Sequence, residues 1–392
     1  MRYADVTTRL QGLAGAKWDL HARARAMRAA GGPVLELTIG EPDVPTPPAM
    51  VAVAQAAMAA GRTGYSNGRG EAGLVAALAA RYSARRGRAF GPQNVMCFPG
   101  TQTTLFAVMQ ALAGPGDEVL VGDPMYATYE GVIAATGAAM VPVPLDPARG
   151  FRIDAADIAA RITPRSRVIW LNTPHNPTGA VLGLEGLRAI GALAEAHDLW
   201  ILCDEVYEEM VFDGATFASP LDLPALAGRV VVTSSISKSH AAPGFRSGWC
   251  VGPEEFCTRL LPLSETMLFG NQPFIADMTE QAVSAPSPVA AGMRARFARR
   301  AGMIAARLDG VAGLRVMRPE AGMFALVDVR SVCASGVEFA GRLLEEQGVA
   351  VMPGESFGAA TAGWLRLSLT QPDDVTAEAC ERIAALAGAM AL

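Results

Sequence analysis

The chain has no run of about 18 apolar residues free of polar interruption, so no membrane-crossing helix is expected. Its six cysteines offer no redox or zinc spacing: the closest pair, Cys250 and Cys257, is seven residues apart. They read as reduced, mostly buried thiols. Only four histidines occur, His21, His175, His197 and His240, and none has a metal-ligand spacing. Positive charge is also scarce, since 33 Lys and Arg against 38 Asp and Glu leave a net charge of -5. No global field recruits phosphate polymers, and nucleic acid is not the expected partner. The first residues mix Arg2, Asp5, Arg9 and Lys17 without an apolar core of a signal peptide. A soluble, cytoplasmic protein is expected.

What is present is apolar mass. Of 392 residues, 51% are hydrophobic and 18% charged, which excludes bulk disorder and gives room for two or three units. From about residue 50 to 283, short β-branched runs alternate with Ala/Leu-rich stretches, the pattern of an α/β domain with a mostly parallel sheet. Strands are expected at 94–98, 118–122, 167–172, 200–204, 229–234 and 247–252. Most are continuously apolar and should be covered on both faces. Helices are expected at 50–61, 101–112 and 184–197. Beyond the break at 285–288, an arginine-rich helix at about 289–309 should lead to a smaller α+β unit. That unit has strands near 314–317, 323–329 and 364–369 and helices at 336–347 and 374–390. The expected division is a large domain over 46–290 and a small domain from 1–45 and 291–392.

Residues 68–73, Gly-Arg-Gly-Glu-Ala-Gly, fit the GxGxxG pattern of dinucleotide sites. That pattern needs a preceding strand and an acidic residue about 20 positions on. Here a helix precedes it, and no acidic residue lies between Glu71 and Asp117. The nicotinamide reading is rejected.

Four strings carry chemistry. In TSSISKSHAAPGFRSGW (233–249), Lys238 follows a strand, with Arg246 downstream. A partly desolvated lysine yields the free amine that attacks carbonyls, while a surface lysine in a Ser-rich loop is the plain alternative. In NTPHNPTG (172–179), turn chemistry explains Pro177 and Gly179 but not Asn176, whose amide can reach the crevice at the strand's carboxyl end. In CDEVYEEM (203–210), Asp204 ends an apolar strand, where a carboxylate needs a positive partner or serves as a helix cap. Tyr207 follows. In FPGTQTTLF (98–106), Thr101 and Gln102 open a helix whose free N–H groups can hold an anion, or form an ordinary strand-to-helix turn. Together they offer an amine, a carboxylate, an amide, a phenol and a phosphate cradle, the set that pyridoxal phosphate (PLP) requires.

With these strings in order, the sequence resembles the class I (fold type I) PLP-dependent aminotransferases over nearly its whole length. The resemblance rests on GEPDVPTPP (40–48), GYSNGRG (64–70), PGTQ (99–102), DPMYATY (123–129), NTPHNPTG, DEVY (204–207), SISKSHAAPGFRSG (235–248), PGESFG (353–358) and WLRLSL (364–369). It implies that Lys238 carries PLP as a Schiff base and moves the proton between substrate α-carbon and cofactor C4′. Asp204 would keep the pyridine nitrogen protonated, Asn176 and Tyr207 would bond the ring O3′, and Tyr126 would stack on the ring. Gly100, Thr101, Gln102, Ser235 and Arg246 would hold the phosphate, with Tyr65 reaching it from the partner of a homodimer. Arg366, which read alone could be an edge-strand charge, would clamp the substrate α-carboxylate. Gly40 would let substrate approach the backbone. Ser247 departs from the family's usual aliphatic residue, without bearing on catalysis. His175 and His240 occupy positions the motifs leave open, and Trp18 is a candidate specificity residue or simple packing.

The implied reaction is ping-pong transfer of an amino group between an amino acid and a 2-oxo acid, with a PLP carbon–sulfur β-lyase as the rival on the same scaffold. A transcription regulator using this fold as an effector module is disfavoured, because the fold motifs begin at Gly40 and no basic reading head is present. Substrates with neutral side chains are expected over aspartate and glutamate. One branch of the family meets the distal carboxylate with a partner-subunit arginine some thirty-odd residues after the lysine, and 261–292 here contains no Lys or Arg. Another branch uses a lysine at the position of Thr101. Arg69 is the one unexpected candidate for that cation.

Overall fold

The structure, a computed structural model, describes residues 1–13 and 15–391; Ala14 and Leu392, within the ranges expected for the small domain, lie outside the described residues. Seven strands form the main sheet, in the spatial order Val95–Phe98, Gly248–Val251, Val230–Ser235, Trp200–Asp204, Ser166–Asn172, Glu118–Asp123, Ala139–Pro144. Only Gly248–Val251 runs antiparallel to its neighbours. The continuous apolar runs are explained by two covered faces, because successive side chains point to opposite sides. Val95, Cys97, Ile169, Leu171, Ile201, Cys203, Val230 and Val232 join one core cluster. Met96, Phe98, Val168, Trp170, Leu202 and Val231 join another.

The expected strands are found to within a residue or two, and the helices Thr101–Leu112 and Gly336–Gln347 at the expected bounds. One strand of the main sheet was not expected: Ala139–Pro144 contains two prolines and is mostly uncovered, which suits an edge position and hides it from hydrophobic patterning. A four-stranded antiparallel sheet joins Met352–Pro353, Trp364–Ser368, Phe324–Asp328 and Arg315–Met317 in that order. The strand Trp364–Ser368 is therefore internal, which removes the edge-strand reading of Arg366. Leu35–Glu36 pairs in parallel with Val349–Ala350, so the two ends of the chain meet.

The helix Ala290–Leu308 is held by ion pairs that cross between elements. Arg300, 5% exposed, donates from Nη1 to Asp43 at 2.9 Å and to the carbonyl of Leu369, and from Nε to Asp373 at 2.9 Å. Arg296 adds a two-pronged bond to Asp43 at 2.7 and 2.8 Å. Burial alone would raise the Asp43 pKa, but its bonds to and the charges of Arg296 and Arg300 together hold it below the ordinary value. The Asp43 contribution to stability is therefore present above the unfolded pKa and is lost as pH falls through the lower folded one. Asp43→Ala strips a nearly buried arginine of one partner and should cost about 3 kcal/mol at pH 7. Thermal unfolding of both proteins from pH 7 down to about pH 2 should show a gap that is constant near neutrality and narrows only below about pH 4; a gap that widens with acid would contradict the assignment.

Candidate active site

Open α/β sheets present ligand crevices at the carboxyl ends of their strands, and five strand ends here deliver side chains to one place. Thr101 and Gln102 follow Val95–Phe98, Tyr126 follows Glu118–Asp123, and Asn176 follows Ser166–Asn172. Asp204 ends its own strand, Tyr207 lies one turn on, and Ser235 and Lys238 stand at the end of Val230–Ser235. Trp18, Gly40 and Arg366 close the opposite wall of a cleft of about 220 Å³.

Burial sets the charges inside it. Lys238 donates from Nζ to the carbonyl of Gly40 at 2.8 Å. Desolvation, opposed by Glu41 and helped by Arg366 and Arg246, lowers its pKa to about 8. Lys238 is half-buried in the cleft rather than lying on an exposed loop, which argues against the surface-lysine alternative, and its lowered pKa brings the free amine within easier reach. Asp204 moves the other way, raised to about 6 by burial against the opposing bonds from Tyr129 and the Val206 N–H. Its Oδ1 accepts from that N–H at 3.1 Å, but no helix follows, so the bond closes a turn and the helix-cap alternative does not hold.

Arg366 is 2% exposed, and desolvation lowers its pKa to about 10. Its guanidinium lies between the rings of Phe324, at 3.8 Å from the centroid, and Phe357, at 4.3 Å. Nη1 donates to Asn176 Oδ1 at 3.1 Å and Nη2 to the Thr38 carbonyl at 2.7 Å, while the buried Nε has no partner. Asn176 also bonds the Tyr207 hydroxyl, whose pKa is raised chiefly by burial.

At the other end, Thr101 opens a 12-residue helix behind Gly100 at φ +85°. The buried Thr101 Oγ1 has no partner, and the Arg246 guanidinium packs against Gly100 where a Cβ would stand. An unpartnered hydroxyl, free helix N–H groups and an arginine make a cradle suited to a multiply charged anion.

Of the expected residues, Tyr65 alone stands apart: it is 93% exposed, and its ring meets that of Phe269 at a tilt, centroids 5.7 Å apart. Arg69 is spoken for, because its Nη1 donates to the carbonyls of Gln93 at 3.1 Å and Val95 at 3.2 Å. His175 bonds Thr178, and His240 bonds Ser239 and the Ala282 carbonyl. Gly40 has a nearer reason for being glycine than substrate approach, since a Cβ there would overlap the Phe324 ring. Three side chains escaped the sequence reading. Phe324 and Phe357 act on Arg366, and Tyr129 donates to Asp204 Oδ2 at 2.7 Å. The available signal was spacing: Tyr129 lies three residues after Tyr126, close enough for the rings to meet edge to face at 5.7 Å.

The family model for aminotransferases of class I and II matches residues 32–383. An arginine–pyruvate transaminase of Pseudomonas aeruginosa is 44% identical over 384 residues, 98% of either chain. An aspartate aminotransferase of Streptomyces avermitilis is 34% identical over 373 residues, 92% of this chain and 91% of that one. Among solved structures, a double mutant of Thermus thermophilus aspartate aminotransferase has a TM-score of 0.92 at 31% identity, covering 98% of this chain and all of its own. The aspartate aminotransferase of Rhizobium meliloti has a TM-score of 0.93 at 28% identity, covering 99% of each.

The overlap between positions 40 and 324 can be tested directly. Gly40→Ala should destabilise the protein by about 1–3 kcal/mol, the usual cost of overpacking. Adding Phe324→Leu should recover part of that loss despite removing apolar surface, so the two changes are non-additive. Strictly additive shifts in Tm would show that the ring and the glycine are independent.

Proposed function

The chain belongs to the aminotransferases of class I and II, and on that footing we propose that PLP is its cofactor, held by the cleft residues named above. The enzyme moves an amino group between an amino acid and a 2-oxo acid. When bound, PLP supplies an electron sink for the pair released as the substrate α-carbon loses its proton. Lys238 would hold the cofactor covalently through its amine and, once released, would move the proton between the substrate α-carbon and the cofactor C4′. Asp204 would pair with the ring nitrogen, Asn176 and Tyr207 would bond O3′, and Tyr126 would cover the ring. Gly100, Thr101, Gln102, Ser235 and Arg246 receive the phosphate, and Arg366 receives the α-carboxylate. The observation that carries this reading is the pairing, in one cleft, of a half-buried lysine with a lowered pKa and a cradle containing the unpartnered Thr101 hydroxyl. The relatives compared are transaminases, which favours transfer over β-elimination.

The active unit is a homodimer in which Tyr65 reaches the partner's phosphate site. The exposed aromatic pair of Tyr65 and Phe269 supports that, since large uncovered rings mark contact surfaces. The large domain spans 46–290, with 1–45 and 291–392 forming the small one. Six free, buried cysteines support a reducing, cytoplasmic setting. Among the described residues, no helix is long and apolar enough to cross a membrane.

The amino donor has a neutral side chain in preference to an acidic one. Among the described residues lining the cleft, Lys238, Arg366 and Arg246 are assigned and no further cation faces a distal carboxylate, while Arg69 is held by its own backbone and Trp18, Ile39 and Phe324 add apolar wall. A second reading, an arginine donor with pyruvate as acceptor, draws support from Glu41, the one carboxylate whose charge acts on Lys238, and from the name of the Pseudomonas relative.

Lys238→Ala should bind PLP without covalent attachment and lose amino transfer; near-normal turnover would overturn the assignment. For the wild type, the rate of covalent capture of PLP by the apo-protein should rise with pH through about 8, the pKa at which the amine frees its lone pair. For substrates, kcat/KM is compared for aspartate, glutamate, alanine, methionine and arginine. A preference for aspartate above about tenfold, or 1.4 kcal/mol, would refute the charge argument.

A further inference from the structure

A carboxylate in a dry pocket tends to take up a proton, and Asp204, 4% exposed, is under that pressure. Two donors oppose it. One, the Val206 N–H, belongs to the turn and comes with any sequence that folds there. The other is the Tyr129 hydroxyl, at 2.7 Å from Oδ2. Tyr129 is the first residue of the helix Tyr129–Thr136 and is 2% exposed. Its ring is fixed by stacking on Trp170, centroids 4.2 Å apart at 28°, and by the edge of Tyr126. Burial first, then Asp204, raise the Tyr129 pKa far above the ordinary phenol, so it remains a donor at any working pH. The same ring separates the cleft from a small apolar cavity of about 30 Å³ behind it.

We propose that Tyr129 is a positioning residue for amino transfer, which keeps Asp204 ionised and aimed at the cofactor ring through its O–H···Oδ2 bond. This rests on the reading above that Asp204 pairs with the pyridine nitrogen. A hydrogen bond to a buried charge is stronger than one between neutral groups. Without it the carboxylate itself becomes more basic and draws the shared proton off the ring nitrogen, and a less protonated ring lets the Schiff-base nitrogen hold its own proton to higher pH. The other titratable groups acting on or near Asp204 are Tyr126, Tyr207 and Cys203, all with raised pKa values through burial. None of them replaces the lost donor.

The test is Tyr129→Phe, which keeps the ring and its stack and deletes only the hydroxyl. PLP dissociation constants for the apo-proteins and pH titration of the bound cofactor's visible absorption are the primary readouts, with steady-state kinetics alongside. The variant should bind PLP about tenfold more weakly and titrate about one unit higher, with kcat lowered more than tenfold and the donor KM changed less than about threefold. Trp170→Phe, which disturbs the stack and leaves the bond, should titrate as wild type. Wild-type affinity and a midpoint within about 0.2 unit in Tyr129→Phe would overturn the proposal, as would an equal shift in Trp170→Phe. Asp204→Asn separates the two levels. If it shifts both readouts while Tyr129→Phe shifts neither, only the role of Tyr129 fails; if Asp204→Asn shifts neither, the underlying reading of Asp204 fails with it.

Discussion

Arg366 is a full charge removed from water with no carboxylate of its own chain to meet it among the described residues. Such a group is costly to bury unless its surroundings answer it. Here the answer comes from two phenyl faces and two oxygens, and those four contacts draw together distant stretches of chain. Thr38 comes from the N-terminal segment, Asn176 from a loop of the main sheet, and Phe324 and Phe357 from the small sheet and the loop beside it. The aromatic faces leave the plane of the guanidinium as its open direction. A planar carboxylate approaching in that plane is the natural counter-ion, so one unfavourable burial organises the packing of the small sheet and leaves a guanidinium suited to the carboxylate proposed to bind it.

The same desolvation acts on the acid and the base with opposite sign. It lowers Lys238 to about 8 and raises Asp204 to about 6, bringing two groups whose ordinary pKa values lie far apart to either side of neutrality. Arg366 and Arg246 add to the lysine shift, while Glu41 opposes it from the cleft's rim. The acid-base behaviour of Lys238 is thus set together with its charged neighbours rather than by burial alone.

The main sheet was legible because its strands are covered on both faces and therefore read as unbroken apolar runs, as in Ser166–Asn172 and Val230–Ser235. Ala139–Pro144 was not, since an exposed edge carries no such run. The pairing of Leu35–Glu36 with Val349–Ala350 could not be seen locally either, because two-residue strands bear no period. At the site, the residues proposed to touch cofactor or substrate stand in recognisable strings. Tyr129, Phe324 and Phe357 work on other side chains, and nothing in a one-dimensional pattern tells a phenyl that packs from a phenyl that holds a cation.

The meeting of the chain ends has a consequence for how the molecule is made. Leu35 and Thr38 are synthesised early, yet their partners Val349 and Arg366 follow more than 300 residues later. At about 5–20 residues per second, the N-terminal segment waits for roughly a quarter of a minute to a minute before it can be ordered. The main sheet needs none of it and can close first. The contacts of Arg366 are then a late event, assembled onto a finished platform, and during the interval Leu35 and Leu37 have no strand to cover them.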